Sequence, residues 1–289
     1  MIKKRYSHLN NCSIIGAYSK RAIILTLMFC VEVSAVYSQE TSEFNEEHFT
    51  SDIPIIVSAS RIPQRETDAP ESVSIIDRDT IKALGVINIV DIFRLVPGFQ
   101  VAHVSGNTYA VTYHGLSYDY PRRLQVLIDG RSVYRPLLSN VDWANLGISV
   151  SDIERIEVLR GPNTPAYGTN AFMGTINIVT QEPFQDQGYR IESIRGTQGF
   201  QKNFLKYAGN LNKFEYRATA EYRKSHGFED VDDSREITIG SVRGIYNFDV
   251  FTTLEVQFGY SGGALGADGD DSALNPKRDK QVNSSYAFM

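Results

Sequence analysis

The second half of the chain has long stretches in which apolar and polar residues alternate. From Phe214 to Tyr222 every second residue is Phe, Tyr or Ala, and Glu, Arg or Thr stand between them. Leu254–Tyr260 also places an apolar residue at every second position. Because side chains of a β-strand point alternately to the two faces of a sheet, both stretches predict strands with one apolar and one polar face. These strands are longer than is usual in soluble sheets.

The lengths of the connections favour one of two folds for these strands. In a soluble sandwich the apolar face packs on a second sheet, whereas in a membrane barrel it faces lipid and the polar face lines the lumen. Leu211–Lys213 and Asn247–Thr252 are short connections, whereas Ser225–Ser234 and Gly262–Asp279 are long. This alternation is typical of outer-membrane barrels. We expect antiparallel transmembrane β-barrel strands over residues 184–289, with a sandwich as the alternative.

Residues 61–183 mix short strands with short helices. Strands are expected at Ser72–Asp77, Leu124–Ile128, Ile153–Leu159 and Thr175–Thr180. Helices are expected over Thr80–Leu84, capped by Asp79 and ended by Gly85, and over Ile89–Val96. Asp129-Gly130 is a hairpin-turn signal that would lead the second strand into Ser132–Tyr134. Together these elements predict a small α+β domain.

The first 38 residues have the order of a secretory leader. Basic residues from Lys3 to Arg21 precede the apolar segment Ala22–Val31, and small residues follow up to Ser38. Basic, then apolar, then small residues form the pattern of a signal peptide. We therefore expect an export signal at residues 1–38 and a polar periplasmic tether at residues 39–60. A short buried helix is the alternative for the apolar segment.

Cysteine content and charge exclude several classes of protein. Both cysteines, Cys12 and Cys30, lie inside the expected signal, so the mature chain would have neither a disulfide framework nor a cysteine metal site. Removal of residues 1–38 would change the formal net charge from −5 to −9, which opposes non-specific nucleic-acid binding. The histidines are scattered, and no phosphate loop or nucleophile elbow is present. We expect no metal, no cofactor and no enzymatic activity.

Five segments of the chain have a characteristic order and spacing. Val96–Val101 and Leu124–Arg131 come first. Ile153–Pro162, with the sequence Ile-Glu-Arg-Ile-Glu-Val-Leu-Arg-Gly-Pro, is then followed by Ala166–Gly168 and Gly174–Thr180. Together these segments resemble the plug signature of the TonB-dependent outer-membrane receptor family, and the last three resemble its closing part. The resemblance covers nearly all of the expected mature chain, and its first half is the more specific.

The resemblance implies an α+β plug domain at residues 61–183, followed at residues 184–289 by the first strands of an outer-membrane β-barrel. About five strands fit after Pro183 and a sixth begins at Gln281, whereas a plugged barrel of this type has about 22. The barrel is therefore expected to be incomplete in this chain. The implied location is the outer membrane of a Gram-negative cell, in contact with its lipid.

Two sets of contacts follow from the resemblance. Arg155, Glu157 and Arg160 occupy positions where family members place charges between plug and barrel, although a solvated strand face explains them equally well. The segment Ile53, Pro54, Ile55, Ile56, Val57 and Ser58 is the best match to the segment that pairs with the inner-membrane partner TonB. Strand addition through backbone hydrogen bonds suits such a reversible contact. The alternative is that Ile55–Val57 is the first strand of the plug.

Loops of the plug that face outward are the expected place for a ligand. The side chains best suited to contact one are Tyr118, Tyr120, Arg122, Arg123 and Trp143. Aromatic faces and guanidinium groups suit a bulky anion such as a ferric siderophore. The implied function is energy-coupled uptake of a scarce, bulky nutrient. The alternatives are a receptor that binds or senses a ligand without transport, and a truncated, non-functional remnant.

Overall fold

The computed structural model consists mainly of a five-stranded sheet followed along the chain by a six-stranded sheet. Among the residues that it describes, no helix is long and apolar enough to cross a membrane. The described residues are 55–56, 64–65, 72–115, 123–135, 140–168, 170–228, 231–249, 251–266 and 279–289.

A five-stranded sheet is the centre of the α+β domain. Its strands are β3 (Ser72–Asp77), β6 (Leu124–Ile128), β7 (Arg131–Ser132), β8 (Ile153–Arg160) and β9 (Gly174–Thr180). They lie in the order β3-β8-β9-β6-β7, and all neighbours are antiparallel except the parallel pair β6 and β9. All four predicted strands are present. The predicted turn is confirmed too, since Asp129 and Gly130 have φ of 49° and 77°, the left-handed conformation of a type I′ hairpin.

Both predicted helices are present with different bounds. The first starts two residues earlier than predicted, and the second is shorter. The first helix, α1, is Arg78–Leu84, and its N-cap is Asp77, which accepts a hydrogen bond from the Thr80 amide at 2.7 Å. The prediction of Asp79 as the cap is therefore wrong, although Gly85 does end the helix in the left-handed conformation. The second helix, α2, covers only Ile89–Ile92 and tightens into a 3₁₀ turn at Phe93–Leu95.

Shorter elements complete this domain. They are the hairpin β4 (Phe99–His103) with β5 (Tyr109–Tyr113), the one-turn helix α3 (Thr164–Tyr167), and 3₁₀ turns at Trp143–Asn145 and Val150–Asp152. The sequence analysis predicted no strand at either arm of the hairpin. A hydrophobic core forms between these elements and one face of the sheet, and it includes Phe93, Trp143, Ile156 and Ile176.

A two-stranded ladder lies on the opposite face of the sheet. Ile55–Ile56 (β1) pairs antiparallel with Gln64–Arg65 (β2). The Ile56 side chain is fully buried and packs with Leu159, beside Val73 and Ile75. The first described strand of the chain is therefore already paired through its backbone.

Six long antiparallel strands, which we call the wall sheet, follow in sequence order. They are β10 (Gly188–Arg195), β11 (Gln201–Leu211), β12 (Phe214–Ser225), β13 (Arg235–Asn247), β14 (Thr253–Gly266) and β15 (Asp279–Phe288). β14 continues to Gly266, so the prediction of a loop from Gly262 is wrong at that end. Short and long connections alternate after β11, as expected.

The two faces of the wall sheet differ as their alternation predicts. On β12 the apolar residues Phe214, Ala218 and Ala220 are exposed, whereas Arg217 and Glu221 are buried. Tyr189 and Ile191 on the same outer face are 82% and 77% exposed. The charged face therefore points inward onto the α+β domain, and the apolar face points outward.

Candidate functional site at the interface of plug and wall

The inward face of the wall sheet is charged, and the α+β domain covers it. On β12, Arg217, Glu221 and Arg223 are 4%, 2% and 7% exposed. Burial of an ion costs several kcal/mol unless a partner compensates for lost hydration. The partners of these side chains therefore define the interface. The other buried cations of the wall sheet are Lys202, Lys206, Arg235 and Arg243.

Arg217 is the centre of one group of contacts. It donates hydrogen bonds to the backbone oxygen of Gln181 and, at 3.3 Å, to Thr180 Oγ1. Its guanidinium also lies 3.8 Å from a carboxylate oxygen of Asp152. Burial raises the pKa of Asp152, and the charge of Arg217 opposes that shift. This group joins β12 to the end of β9 and to the 3₁₀ turn before β8.

A second group of contacts surrounds Glu221, which lies four residues after Arg217 on the same face of β12. Ser149 donates a hydrogen bond to its carboxylate, and Arg223 and Lys202 provide the charges, the latter at 3.7 Å. Lys202 also donates to Ser151 Oγ at 2.6 Å. Ser149 and Ser151 belong to the same short segment as Asp152. This segment of the α+β domain therefore contacts three buried ions of the wall, which are Glu221, Lys202 and Arg217.

Asp186 links α1 to the wall from the connection before β10. It accepts a hydrogen bond from Arg78 at 2.9 Å and another from Lys206. Partial burial acts to raise the pKa of Asp186, but the hydrogen bonds and charges of Lys206 and Arg78 outweigh it and lower the pKa to about 2. The carboxylate is therefore ionised at neutral pH and bridges two cations.

The contribution of Asp186 is expected to disappear in acid. A carboxylate with a lowered pKa in the folded state stabilises that state above its unfolded pKa, near 3.8, and loses this contribution as the pH falls toward 2. We therefore expect Asp186→Asn to destabilise the protein at pH 6 and to differ little from the parent near pH 2. Urea unfolding across this range measures the difference. A difference that is independent of pH would contradict the ionic role.

The end of the wall sheet with the long connections holds the loop between β4 and β5. The Asn107 side-chain amide donates to the backbone oxygens of Asp233, Ser234 and Gly266 at 3.0–3.1 Å. The Gly106 amide donates to the Asp233 carboxylate at 2.6 Å. A Cβ at Gly106 would lie 2.8–2.9 Å from Asp233, so a larger residue would break this close approach. The loop is thus fastened by neutral donors to the wall.

Apolar packing accompanies the polar contacts at this end. Ile237 and Ile239 of β13, Leu265 of β14 and Val282 of β15 belong to the same hydrophobic cluster as the core of the α+β domain. Arg235 also donates to the Tyr109 hydroxyl at 3.0 Å. The interface therefore combines apolar packing with hydrogen bonds near the long connections, and it is mainly ionic toward the middle of the strands.

Arg155, Glu157 and Arg160, which were predicted to join plug and barrel, form hydrogen bonds within the α+β domain. Arg155 donates to Glu157 at 2.9 Å, and Glu157 is fully buried in the central sheet. Arg160 donates to Ser72 on the neighbouring strand β3. Their role toward a barrel stays a prediction. Arg217, Glu221 and Lys206 were not singled out from the sequence, although charge at alternate positions of a predicted strand was the signal.

The predicted ligand residues are only partly described. Arg123 is exposed, and its guanidinium lies 6.0 Å from the ring of Phe172. Trp143 packs edge-on against Phe93 at 5.4 Å and is 7% exposed, so it would have to leave the core to touch a ligand. Outside the described residues lie Tyr118, Tyr120 and Arg122, the expected signal at residues 1–38, and Ile53, Pro54, Val57 and Ser58 of the predicted TonB segment.

Comparisons with known proteins agree with this geometry. Residues 65–175 match the family model of the TonB-dependent receptor plug domain. An iron-regulated outer membrane virulence protein of Vibrio cholerae is 31% identical over 149 residues, which are 50% of this chain and 22% of the relative. The vitamin B12 transporter BtuB of Photobacterium profundum is 28% identical over 170 residues, which are 59% of this chain and 27% of that relative.

A similar fold extends beyond the plug. The pyoverdine outer membrane receptor FpvA of Pseudomonas aeruginosa superposes with a TM-score of 0.62 at 20% identity, over 75% of this chain and 31% of that chain. That coverage exceeds the α+β domain and therefore includes wall strands. The chain spans less than a third of each of these three proteins.

An α+β domain seated on the polar face of long antiparallel strands, together with the family match, defines the class. Residues 65–175 of the chain belong to the TonB-dependent receptor plug domain family. Its α+β domain is the plug, and the wall sheet corresponds to barrel strands. Relatives are described as a transporter and as a receptor, not as enzymes, which agrees with the expectation of no enzymatic activity. In the described part of the chain, no cluster of His, Cys, Asp or Glu is arranged to hold a metal.

Proposed function

We propose that this protein takes part in energy-coupled uptake of a scarce, bulky nutrient across the outer membrane of a Gram-negative cell, with a ferric siderophore as the preferred ligand and TonB as the partner. The observation that carries the proposal is the polar interface between the plug and the wall sheet. Hydrogen bonds and ion pairs hold the plug there, and water can replace such contacts when the plug moves.

The outer face of the wall supports a place in lipid. On β12 the outward positions from Phe214 to Tyr222 extend roughly 27 Å along the strand at about 3.4 Å per residue. At a strand tilt of roughly 40° this gives a band about 20 Å high, close to the apolar band of outer-membrane barrels. Tyr189 and Tyr207 stack at 5.2 Å on this face, as interfacial aromatic residues do.

Two kinds of relative direct the choice of ligand. One is described as iron-regulated, and FpvA is described as bound to pyoverdine, which favours an iron carrier here. Other relatives are described as vitamin B12 transporters, so a cobalamin is the second candidate. The exposed Arg123 would suit the acidic groups of an iron carrier.

The test is uptake by the host cell. Deletion of the gene should abolish uptake of radiolabelled iron bound to one class of siderophore, and a protonophore should abolish it equally in the parent. Loss of radiolabelled cobalamin uptake instead would select the second candidate. Ligand binding without uptake would indicate a sensing receptor. Unchanged uptake of every ligand, with no binding, would refute the proposal and leave a non-functional remnant.

The proposed TonB segment gives a sharper prediction. Ile55 and Ile56 pair with Arg65 and Gln64, so a partner that adds a strand must first replace this ladder. We expect Ile56→Pro to abolish energy-coupled uptake, because proline removes a backbone donor and restricts the preceding residue. Ligand binding at the cell surface should be unchanged. Ile56→Ala is the matched control and should retain uptake, since strand addition depends on the backbone.

If Ile56→Pro transports normally, this segment is not the coupling strand. The alternative interpretation, in which β1 serves only as the first strand of the plug, would then hold. If Ile56→Pro instead loses uptake, binding assays on the same cells separate loss of coupling from misfolding, because an unfolded plug would lose ligand binding as well.

A further inference from the structure

A cavity of about 260 Å³ lies between α1 of the plug and the first two wall strands. Arg78, Ile81, Lys82 and Gly85 line its plug side, and their spacing of three and four residues places them on one face of α1. β10 and β11 line the opposite side. The cavity is therefore a gap in the interface, with one side supplied by each part of the protein.

The lining of this cavity carries more positive than negative charge. Arg78 and Lys82 face it from the plug, and Arg190 and Lys202 face it from the wall. Among the described lining residues, Glu192 is the one carboxylate, and it pairs with Arg190 at 2.6 Å and with Lys202 at 3.4 Å. Carboxylates outside the lining also pair with two of these cations, Glu221 with Lys202 at 3.7 Å and Asp186 with Arg78 at 2.9 Å.

Lys82 has the weakest ion pair of these four cations. Its contact with Asp79 is 3.4 Å long, on the surface, between side chains that are 49% and 93% exposed. Such surface pairs contribute little. A carboxylate that enters the cavity would therefore displace little when it approaches Lys82, and it would meet the guanidinium of Arg78 one turn away on the helix.

Much of the remaining lining is aliphatic. Ile81, Val86 and Ile87 form it on the plug, with Val150 and Ile153 from the segment that leads into β8, and Ile194 projects from β10. A fully hydrated inorganic anion gains nothing from such surfaces, whereas an organic anion buries its apolar part there. The volume lies just below the roughly 300–1,000 Å³ of sites for drug-sized ligands, so the occupant is compact.

We propose that this cavity binds a small organic anion with an apolar body, of the aromatic carboxylate class. The carboxylate would lie among Arg78, Lys82 and Arg190, and the ring would lie on Ile81, Val86 and Ile194. Arginine recognises carboxylates through two parallel hydrogen bonds, which fixes the orientation of the ligand. The inference goes beyond uptake, because the site lies at the interface of plug and wall and not among the outward loops.

Occupancy of the cavity has a mechanical consequence. The ligand would contact α1 on one side and β10 on the other, and it would therefore bind only the state in which the plug is seated. A ligand that binds one state alone stabilises that state by mass action. The anion would thus hold the plug in place beside the Arg78–Asp186–Lys206 link.

The test is isothermal titration of the full chain in detergent micelles with benzoate. Acetate and benzyl alcohol are the two matched probes, since the first lacks the apolar body and the second lacks the charge. We expect saturable binding of benzoate with a stoichiometry of one, and no saturable binding of either control. Equal heats from benzyl alcohol would indicate partition into micelles and would overturn the proposal.

Three variants place the binding in the cavity. Val86→Trp fills it and should weaken benzoate at least tenfold, whereas Val242→Trp on the outer face of β13 should change nothing. Arg190→Gln should weaken binding about tenfold, as expected for loss of a charge-assisted hydrogen bond. Glu192→Gln should strengthen it several-fold, because the competing carboxylate is gone. Benzoate binding that is the same in Val86→Trp and Glu192→Gln as in the parent refutes the site.

Discussion

Replacement of Arg217 by methionine is expected to lower the free energy of unfolding by about 3–5 kcal/mol. Arg217 is 4% exposed, and it supplies hydrogen bonds to Gln181 and Thr180 and a positive charge near Asp152. Removal leaves the buried Asp152 carboxyl without this charge and two acceptors without this donor. Removal of one partner of a buried pair costs more than replacement of both by apolar groups.

The measurement is urea unfolding followed by the fluorescence of Trp143, the single tryptophan of the chain. Trp143 lies in the plug core and therefore reports on the plug. Arg195→Met is the matched control, since Arg195 is exposed on the wall sheet and should change stability by no more than about 0.5 kcal/mol. The double variant Arg217→Met with Asp152→Leu should recover part of the loss. Equal stability of Arg217→Met and Arg195→Met would show that the plug does not depend on this ionic group.

Phe93→Ala is expected to cost a similar amount, about 3–5 kcal/mol, for a different reason. Phe93 is fully buried, with its ring 5.4 Å from Trp143 and 6.2 Å from Phe99. Truncation removes apolar area and leaves a cavity that the surrounding sheet and 3₁₀ turns fill only in part. The same unfolding experiment measures the loss, and the emission of Trp143 should also shift because its ring neighbour is missing.

The control for this core substitution is Phe258→Ala. Phe258 is 56% exposed on the outer face of β14, so its loss should leave the plug transition unchanged. If Phe93→Ala were no more destabilising than Phe258→Ala, the plug core would not be the packed unit that its burial indicates. If Phe258→Ala lowered plug stability as strongly, the outer face of the wall would be coupled to the plug core.

Local patterns predicted the strands better than the helices. The strands Ser72–Asp77 and Leu124–Ile128 have the predicted bounds. The end of the second strand was predictable because Asp129-Gly130 is a local turn signal. The end of the second helix was wrong because tertiary packing tightens Phe93–Leu95 into a 3₁₀ turn, which places Phe93 beside Trp143. Helical periodicity cannot distinguish these two turn types over so few residues.

The site was harder to predict than the fold. Alternation along β12 showed that Arg217 and Glu221 share a face, but not which residues of the plug would meet them. Those partners, such as Ser149 and the backbone oxygen of Gln181, are neutral groups without a sequence signal. The closing segment that resembles the family signature supplied Arg155 and Glu157, which contact each other. Long-range pairing of this kind depends on the docked geometry.

The two-faced wall sheet also constrains how this gene can change. On β12 the buried ions lie on one side and the apolar residues on the other, and successive residues point to opposite sides. Insertion of a single codon within β12 would turn Arg217 and Glu221 to the outer face and Phe214 or Tyr222 toward the plug. Single-codon insertions and deletions should therefore survive selection in the connections such as 267–278, whereas within the strands only changes of two codons keep the sidedness.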